Sequence, residues 1–320
     1  MYARLTSAAL TLFGTWALVL SALAQAPAAS PAPEDAKVKT FAILPSSEAT
    51  ENICQQADGS IFVSVINTKT ILKITADGKV SEFASAPTMA HILGLGCGDN
   101  EVVAVFFGKT FRGAPPVPPA TANSPLNFSD TDTHVYVYDL AGKLTADIAG
   151  AKGDAFNGFA YSGTRGIYYA GNSANGSIST VDTKGKKIAL WWKDDSFAPA
   201  GNSAIGINGV RAQIGWVYLS GPTKKGLWKI KLGADGKPSG DPVNVEDSVN
   251  VDDFDVAKDG SIYFTTGAIL YRVAPDGTLT KFAEPVQGGP SALVSRDGKW
   301  VYWPTRGGGA NQRLVRVPIP

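Results

Sequence analysis

The sequence predicts an all-β fold, a six-bladed β-propeller with four-stranded blades, and three observations predict it. First, six segments share one cadence: a polar opening, an apolar strand, an Asp-Gly or similar turn, then a second strand rich in Tyr, Phe, Val and Ile. Second, a third strand often follows and ends in a K-I or R-V pair, and a D-G-K or D-G-T turn leads out of it to a fourth, as in ILKITADGKVSEFA and ILYRVAPDGTLTKFA. Third, helical periodicity is nearly absent after residue 35. Repeated β-units roughly 40–50 residues apart mark a ring of blades around an axis.

Taken in order, the units open at Glu51 (ENICQQADGSIFVSV), His91 (HILGLGCGDNEVVAVFF), Asn157 (NGFAYSGTRGIYYAG), Asn208 (NGVRAQIGWVYLSG), Asp252 (DDFDVAKDGSIYFTT) and Pro290 (PSALVSRDGKWVYWPT). The last unit ends in RLVRVPIP with no fourth strand after it. KVKTFAILP, residues 37–45, precedes the first unit as an orphan strand. The expected closure places this strand in the sixth blade, which removes an open sheet edge. The second unit is irregular. Its residues 107–133 hold a Pro-rich insertion far longer than a hairpin turn, read as a lid over the mouth of the central channel on the side where the units open.

The chain has 320 residues, 44% of them apolar, and a net charge of +1. That balance excludes a nucleic-acid polyelectrolyte; the expected partner is a small-molecule substrate and the expected state a monomer. Residues 1–24 read as a signal peptide: a short basic start, an apolar run, and small residues at its end. Residues 25–36 read as a Pro/Ala linker, and 37–320 as the propeller domain. The mature protein is expected to be secreted or periplasmic, with no membrane span after cleavage. Cys54 and Cys97 fall in the first strands of adjacent units. Two readings stay open for them: two buried thiols, or a bridge closing a loop of about 42 residues and worth about 4 kcal/mol.

Four openings carry oxygen: Glu51, Asn157, Asn208 and Asp252. The same position of every blade faces one axis, so these residues are expected to meet there. Two carboxylates and two amides, with no His or Cys, suit a hard divalent cation. Ca²⁺ is the first candidate, with Mg²⁺, Mn²⁺ and Zn²⁺ behind it. Fewer protein ligands than Ca²⁺ prefers would leave coordination open to water or substrate. The plainer reading of each residue alone is a turn residue satisfying backbone groups.

The E-N-I opening, the N-G-F and N-G-V starts, DDFDVAKDG and GPSALVSRDGKWVYW together resemble the senescence-marker-protein/gluconolactonase/regucalcin family of six-bladed propellers. The resemblance covers nearly all of the chain after the linker; its motifs are short and its strength lies in their order. It implies one axial divalent metal held by Glu51, Asn157, Asn208 and Asp252, with Asp252 also the general base that opens a lactone. Two departures bear on substrate. Sugar-lactonase members carry an Arg where this chain has Ala155, and acidic residues where it has AGNSANGS. The expected substrate is therefore a lactone or related ester more apolar than a sugar lactone.

His91 lies within a residue of the axial slot, and related lactonases use an axial His as base; its plainer reading is a hydrogen-bonded histidine beside the channel. His91, Phe107 and Phe111 are the candidate substrate contacts. A non-catalytic exported propeller binding a small molecule or protein, or one recruited to a natural-product step, is the alternative. There is no G-x-S-x-G elbow and no C-x-x-C, and the glycines at 307–309 open no helix.

Overall fold

The computed structural model describes residues 35–45, 49–108, 128–200, 205–284, 286–305 and 312–320. The predicted signal segment, most of the linker, and the centre of the insertion with Phe111 lie outside the described residues. Strand β1 (Lys39–Ile43) comes first. Blade 1 is β2 (Thr50–Gln55), β3 (Ile61–Val65), β4 (Thr70–Ile74) and β5 (Val80–Ser85). Blade 2 is β6 (His91–Cys97), β7 (Glu101–Phe107), β8 (Thr133–Asp139) and β9 (Leu144–Ala149). Blade 3 is β10 (Phe156–Ser162), β11 (Ile167–Asn172), β12 (Ser177–Asp182) and β13 (Lys187–Lys193). Blade 4 is β14 (Val210–Gln213), β15 (Trp216–Ser220), β16 (Leu227–Leu232) and β17 (Pro238–Glu246). Blade 5 is β18 (Phe254–Val256), β19 (Ile262–Thr266), β20 (Ile269–Val273) and β21 (Leu279–Ala283). Blade 6 is β22 (Leu293–Val294), β23 (Trp300–Pro304) and β24 (Arg313–Pro318).

Each blade is an antiparallel sheet in sequence order, and the sixth is completed by β1 beside β24, with Lys39 opposite Arg316 and Ile43 opposite Arg313. The orphan strand thus closes the ring as the sequence predicted. The first strand of each blade is innermost: β2, β6, β10, β14, β18 and β22 contact one another in turn, and β22 returns to β2. Second strands such as Val102–Phe107 are buried from end to end, which is why they read as unbroken apolar runs.

The Asp-Gly turns have a local cause. Asp58 Oδ1 accepts from Ser60 N at 2.9 Å, and Asp259 Oδ1 from Ser261 N at 2.9 Å. The glycine between them sits at φ +85° or +88°, a conformation that side chains strongly disfavour.

Blades are joined edge to edge by apolar packing and a few directed bonds. Gln56 Nε2 donates to Gly98 O and Glu101 O, each at 2.8 Å, and ties blade 1 to blade 2. Glu101 Oε1 accepts from Tyr168 OH at 3.0 Å and Thr183 Oγ1 at 2.8 Å, and ties blade 2 to blade 3. Cys54 and Cys97 are bridged, with Cα atoms 5.6 Å apart, so the two innermost strands β2 and β6 are covalently joined.

The bridge closes a loop between residues 43 apart in sequence. The Cys54→Ser, Cys97→Ser double variant should lose up to about 4 kcal/mol of unfolding free energy in the chain-entropy account. Denaturant midpoints of parent and variant measure this; equal midpoints would show that the apolar contact between blades 1 and 2 suffices alone.

Candidate functional site

The site begins with a repeated irregularity in the innermost strands. In blades 1, 2 and 3 the ladder between first and second strand slips, between Thr50 and Ile53, Ile92 and Leu95, and Phe156 and Phe159. Two residues of the inner strand then face one of the second: Glu51 and Asn52 against Ser64, Leu93 and Gly94 against Val105, Asn157 and Gly158 against Gly171. In blade 4, Asn208 N donates to Ser220 O at 2.8 Å while Ser220 N donates to Gly209 O at 3.0 Å, the same two-to-one arrangement. Such bulges re-aim side chains next to functional sites. Glu51, Asn157 and Asn208 are each the first of their pair. Asp252, followed by Asp253 at the entry to β18, continues the series.

A second regularity fixes the backbone of these positions. The carbonyl of the first bulge residue is received by the preceding blade. Ser64 Oγ donates to Leu93 O at 3.0 Å, Gly158 N to Asn208 O at 2.6 Å, and Ser220 Oγ to Asp252 O at 2.7 Å. Blade 2 offers Gly94, where a Cβ would come within 2.4 Å of Asn157 O. At Gly158 a Cβ would lie 2.2 Å from Asn208 O. The Asn-Gly pairs at 157–158 and 208–209 therefore combine a polar side chain for the axis with room for the neighbouring strand.

This register places the predicted residues. Glu51, Asn157 and Asn208 are buried and Asp252 is half-buried. Asn208 Nδ2 donates to Asp252 Oδ1, so two of the four are in direct contact. That bond uses the amide nitrogen and leaves the amide oxygen, the atom a cation needs, outside it. Asn157 Oδ1 is buried with no hydrogen-bond partner among the described residues, an arrangement that costs free energy unless a ligand, ion or water answers it. An unanswered amide oxygen in one blade and a carboxylate–amide pair between the next two are the donor types a hard cation takes. Among the described residues no three His, Cys, Asp or Glu side chains cluster to hold a metal; the candidate set takes half its oxygens from amides.

The register assigns blade 2 differently from the expectation for His91. The bulge residue there is Leu93, and His91 lies two positions earlier, paired with Phe107 at the start of β6. His91 is 4% exposed, and burial, with Lys69 adding to it, holds its pKa below the usual histidine value. Phe107 ends β7 and packs, fully buried, in an apolar cluster with Phe128 and Phe156. The ends of the insertion are anchored on the side where the inner strands begin: Phe107 pairs with both His91 and Thr133, and Gly108 N donates to Asp132 O at 2.7 Å. Ala155 turns into the same apolar cluster, and Asn172 accepts from its backbone N at 3.1 Å.

Sequence reasoning missed the charged layer next to the slot. Arg211 Nη2 lies 2.9 Å from Asp253 Oδ2, and Arg211 Nε 3.3 Å from Asp255 Oδ1. Ser291 Oγ donates to Asp253 Oδ2 at 2.6 Å, and Val294 N to Asp255 Oδ2 at 2.7 Å. Blades 4, 5 and 6 are thereby clamped together by groups that are nearly buried. Burial raises the Asp255 pKa against the pull of Arg211; burial works against the Arg211 charge, yet Asp253 and Asp255 hold its pKa above the usual value. The acidic pair in D-D-F-D, two residues apart on one face of a strand, was the available signal.

No family model matches the sequence, and no curated protein does. Solved structures do. A gluconolactonase from Xanthomonas campestris is similar with a TM-score of 0.63 at 14% identity, over 88% of this chain and 89% of that one. A luciferin-regenerating enzyme is similar with a TM-score of 0.58 at 11% identity, over 88% and 94%. A virginiamycin B lyase from Staphylococcus aureus is similar with a TM-score of 0.55 at 13% identity, over 88% and 99%. These likenesses show the shared fold.

The buried His91 gives a pH test. The unfolded chain takes up its proton near the ordinary value of 6.5, while the fold holds it off to lower pH. Its contribution to stability is therefore full above about pH 6.5 and falls as pH drops toward the lower folded pKa. His91→Asn should lose less stability than the parent between pH 7.5 and pH 5 in denaturant melts. Identical acid-side losses would show that His91 titrates as it does in the unfolded chain.

Proposed function

We propose that this chain is an exported hydrolase that binds one divalent cation, Ca²⁺ in the first place, through Glu51, Asn157, Asn208 and Asp252, and opens a lactone or related ester. The observation that carries the reading is Asn157 Oδ1, buried and without a partner among the described residues, in the same bulge position as Asn208, which contacts Asp252 at the opening of the next blade. The fold it shares with a gluconolactonase supports the reaction class and leaves the substrate to experiment.

When bound, the cation would polarise the ester carbonyl. The protein's own part falls to Asp252. Its carboxylate, half-buried and so within reach of water, is gripped at Oδ1 by Asn208 Nδ2, which fixes its plane. It would take a proton from a water molecule as the water oxygen bonds to the carbonyl carbon. As the ring C–O bond breaks, that proton passes to the leaving alkoxide, giving a hydroxy acid. Ala155 presents no group to sugar hydroxyls, which favours a substrate less polar than an aldonolactone.

Melting in EDTA and then in Ca²⁺, Mn²⁺, Mg²⁺ or Zn²⁺ is the first measurement, because a ligand that binds only the folded state raises Tm. A panel of aliphatic, aromatic and sugar lactones is the second. The expected result is a Tm rise with one ion, turnover with that ion, and loss of turnover by about 100-fold or more in Asp252→Asn. A Tm rise without turnover of any lactone would reduce the ion to a structural pin. No Tm response to any ion would overturn the site.

A further inference from the structure

A cavity of about 340 Å³ opens between blades 4 and 5, with Asn208 and Asp252 in its wall. We propose that it is the binding site for the body of the substrate, and that it selects compact, uncharged molecules with one apolar flank. The inference rests on the ester-hydrolase reading above and adds to it where the substrate lies and which chemistry is admitted.

The cavity is built rather than incidental. Its walls are pinned by three side-chain hydroxyls that each donate to a backbone carbonyl. Thr223 Oγ1 donates to Ile205 O at 2.9 Å, Ser220 Oγ to Asp252 O at 2.7 Å, and Thr265 Oγ1 to Gly289 O at 2.5 Å. Ile205, Asp252, Thr265 and Gly289 all line the space. Walls held this way stay in place without a ligand, and pockets of specific ligands are largely preformed.

The lining states the ligand's chemistry. Ile205, Pro222 and Val251 offer apolar surface, while Asn250 and Thr266 offer hydrogen-bonding groups. Among the described residues, Asp252 is the single ionisable side chain in the lining. Glu51 and Asp252 together would balance the charge of a divalent ion, and among the described residues no cationic side chain lines the space to receive an anion. A carboxylate or phosphate on the substrate body would be desolvated there without a partner. The volume lies near the lower end of the range for small-molecule sites, which limits the ligand to a single small ring with short substituents.

The test uses two unreactive ring amides that differ by one charge, 2-pyrrolidinone and pyroglutamate. Binding is read by ligand-observed NMR on the parent, Thr266→Phe and Pro222→Trp proteins, with Tm recorded for each. Thr266 ends β19 and is half-exposed, so an aromatic side chain there can project into the cavity without disturbing the core. The proposal expects 2-pyrrolidinone to bind the parent, pyroglutamate to bind it at least about tenfold more weakly, and both filling variants to weaken the lactam by about tenfold. Equal binding of the two amides, no binding of either, or lactam binding unchanged in both filled proteins would overturn it. Lactam binding that follows these expectations in a protein that opens no lactone would keep the cavity and overturn the hydrolase reading instead.

Discussion

The structure depends on one contact made repeatedly around the axis: the carbonyl of a bulge residue in one blade received by the blade before it. Ser64 serves Leu93, Gly158 serves Asn208, and Ser220 serves Asp252, while Gly94 makes room for Asn157. Each contact satisfies a buried acceptor and also fixes the axial position of the residue that owns it. Because the carbonyl is held, the side chain of the same residue is held too. The contacts that join the blades are made by the same residues whose side chains are proposed to hold the ion. Blades 2, 4 and 5 cannot slide against the blade before them without breaking such a bond.

The reinforcements around this ring are unequal. Blades 1 and 2 are joined covalently by Cys54–Cys97. Blades 4, 5 and 6 are joined by the Arg211–Asp253–Asp255 cluster with Ser291 and Val294. Blade 6 itself is assembled from both ends of the propeller through β1 and β24. A buried ion cluster is costly to break one partner at a time, because the remaining charge stays desolvated. The half of the ring with Asn208 and Asp252 is therefore held by charge, and the half with Glu51 by a covalent bond. Cys54 lies in the same inner strand as Glu51, and Asp253 follows Asp252 directly, so each support acts on a strand that carries a candidate ligand.

Much of the fold was legible because its signals are local. The Asp-Gly turns depend on an Asp side chain two residues from its partner N–H, and the orphan strand was visible as a count of strands that did not divide into blades. Glu51, Asn157, Asn208 and Asp252 could be proposed as one set because they hold one place in a repeated unit, and the contact between Asn208 and Asp252 is the part of that set the structure shows. What stayed hidden depends on register between strands. The bulges shift His91 out of the series and put Leu93 in it, and no property of His91 or Leu93 alone reports that slip. The Ser64 and Ser220 contacts join residues of different blades, and serine is too common in strands to announce them. The disulfide was undecidable from two cysteines in adjacent units, because the distance between inner strands is a tertiary quantity.

The central claim is that register-matched bulges bring four oxygen donors to one point where a divalent ion binds. Anomalous diffraction from crystals soaked in Mn²⁺, with Ca²⁺ competition, tests it most directly. The account predicts a single strong peak on the axis, about 2.0–2.6 Å from oxygen atoms of Glu51, Asn157, Asn208 and Asp252, that Ca²⁺ displaces. A peak held by other residues, or an axis without one at saturating Mn²⁺, would contradict it.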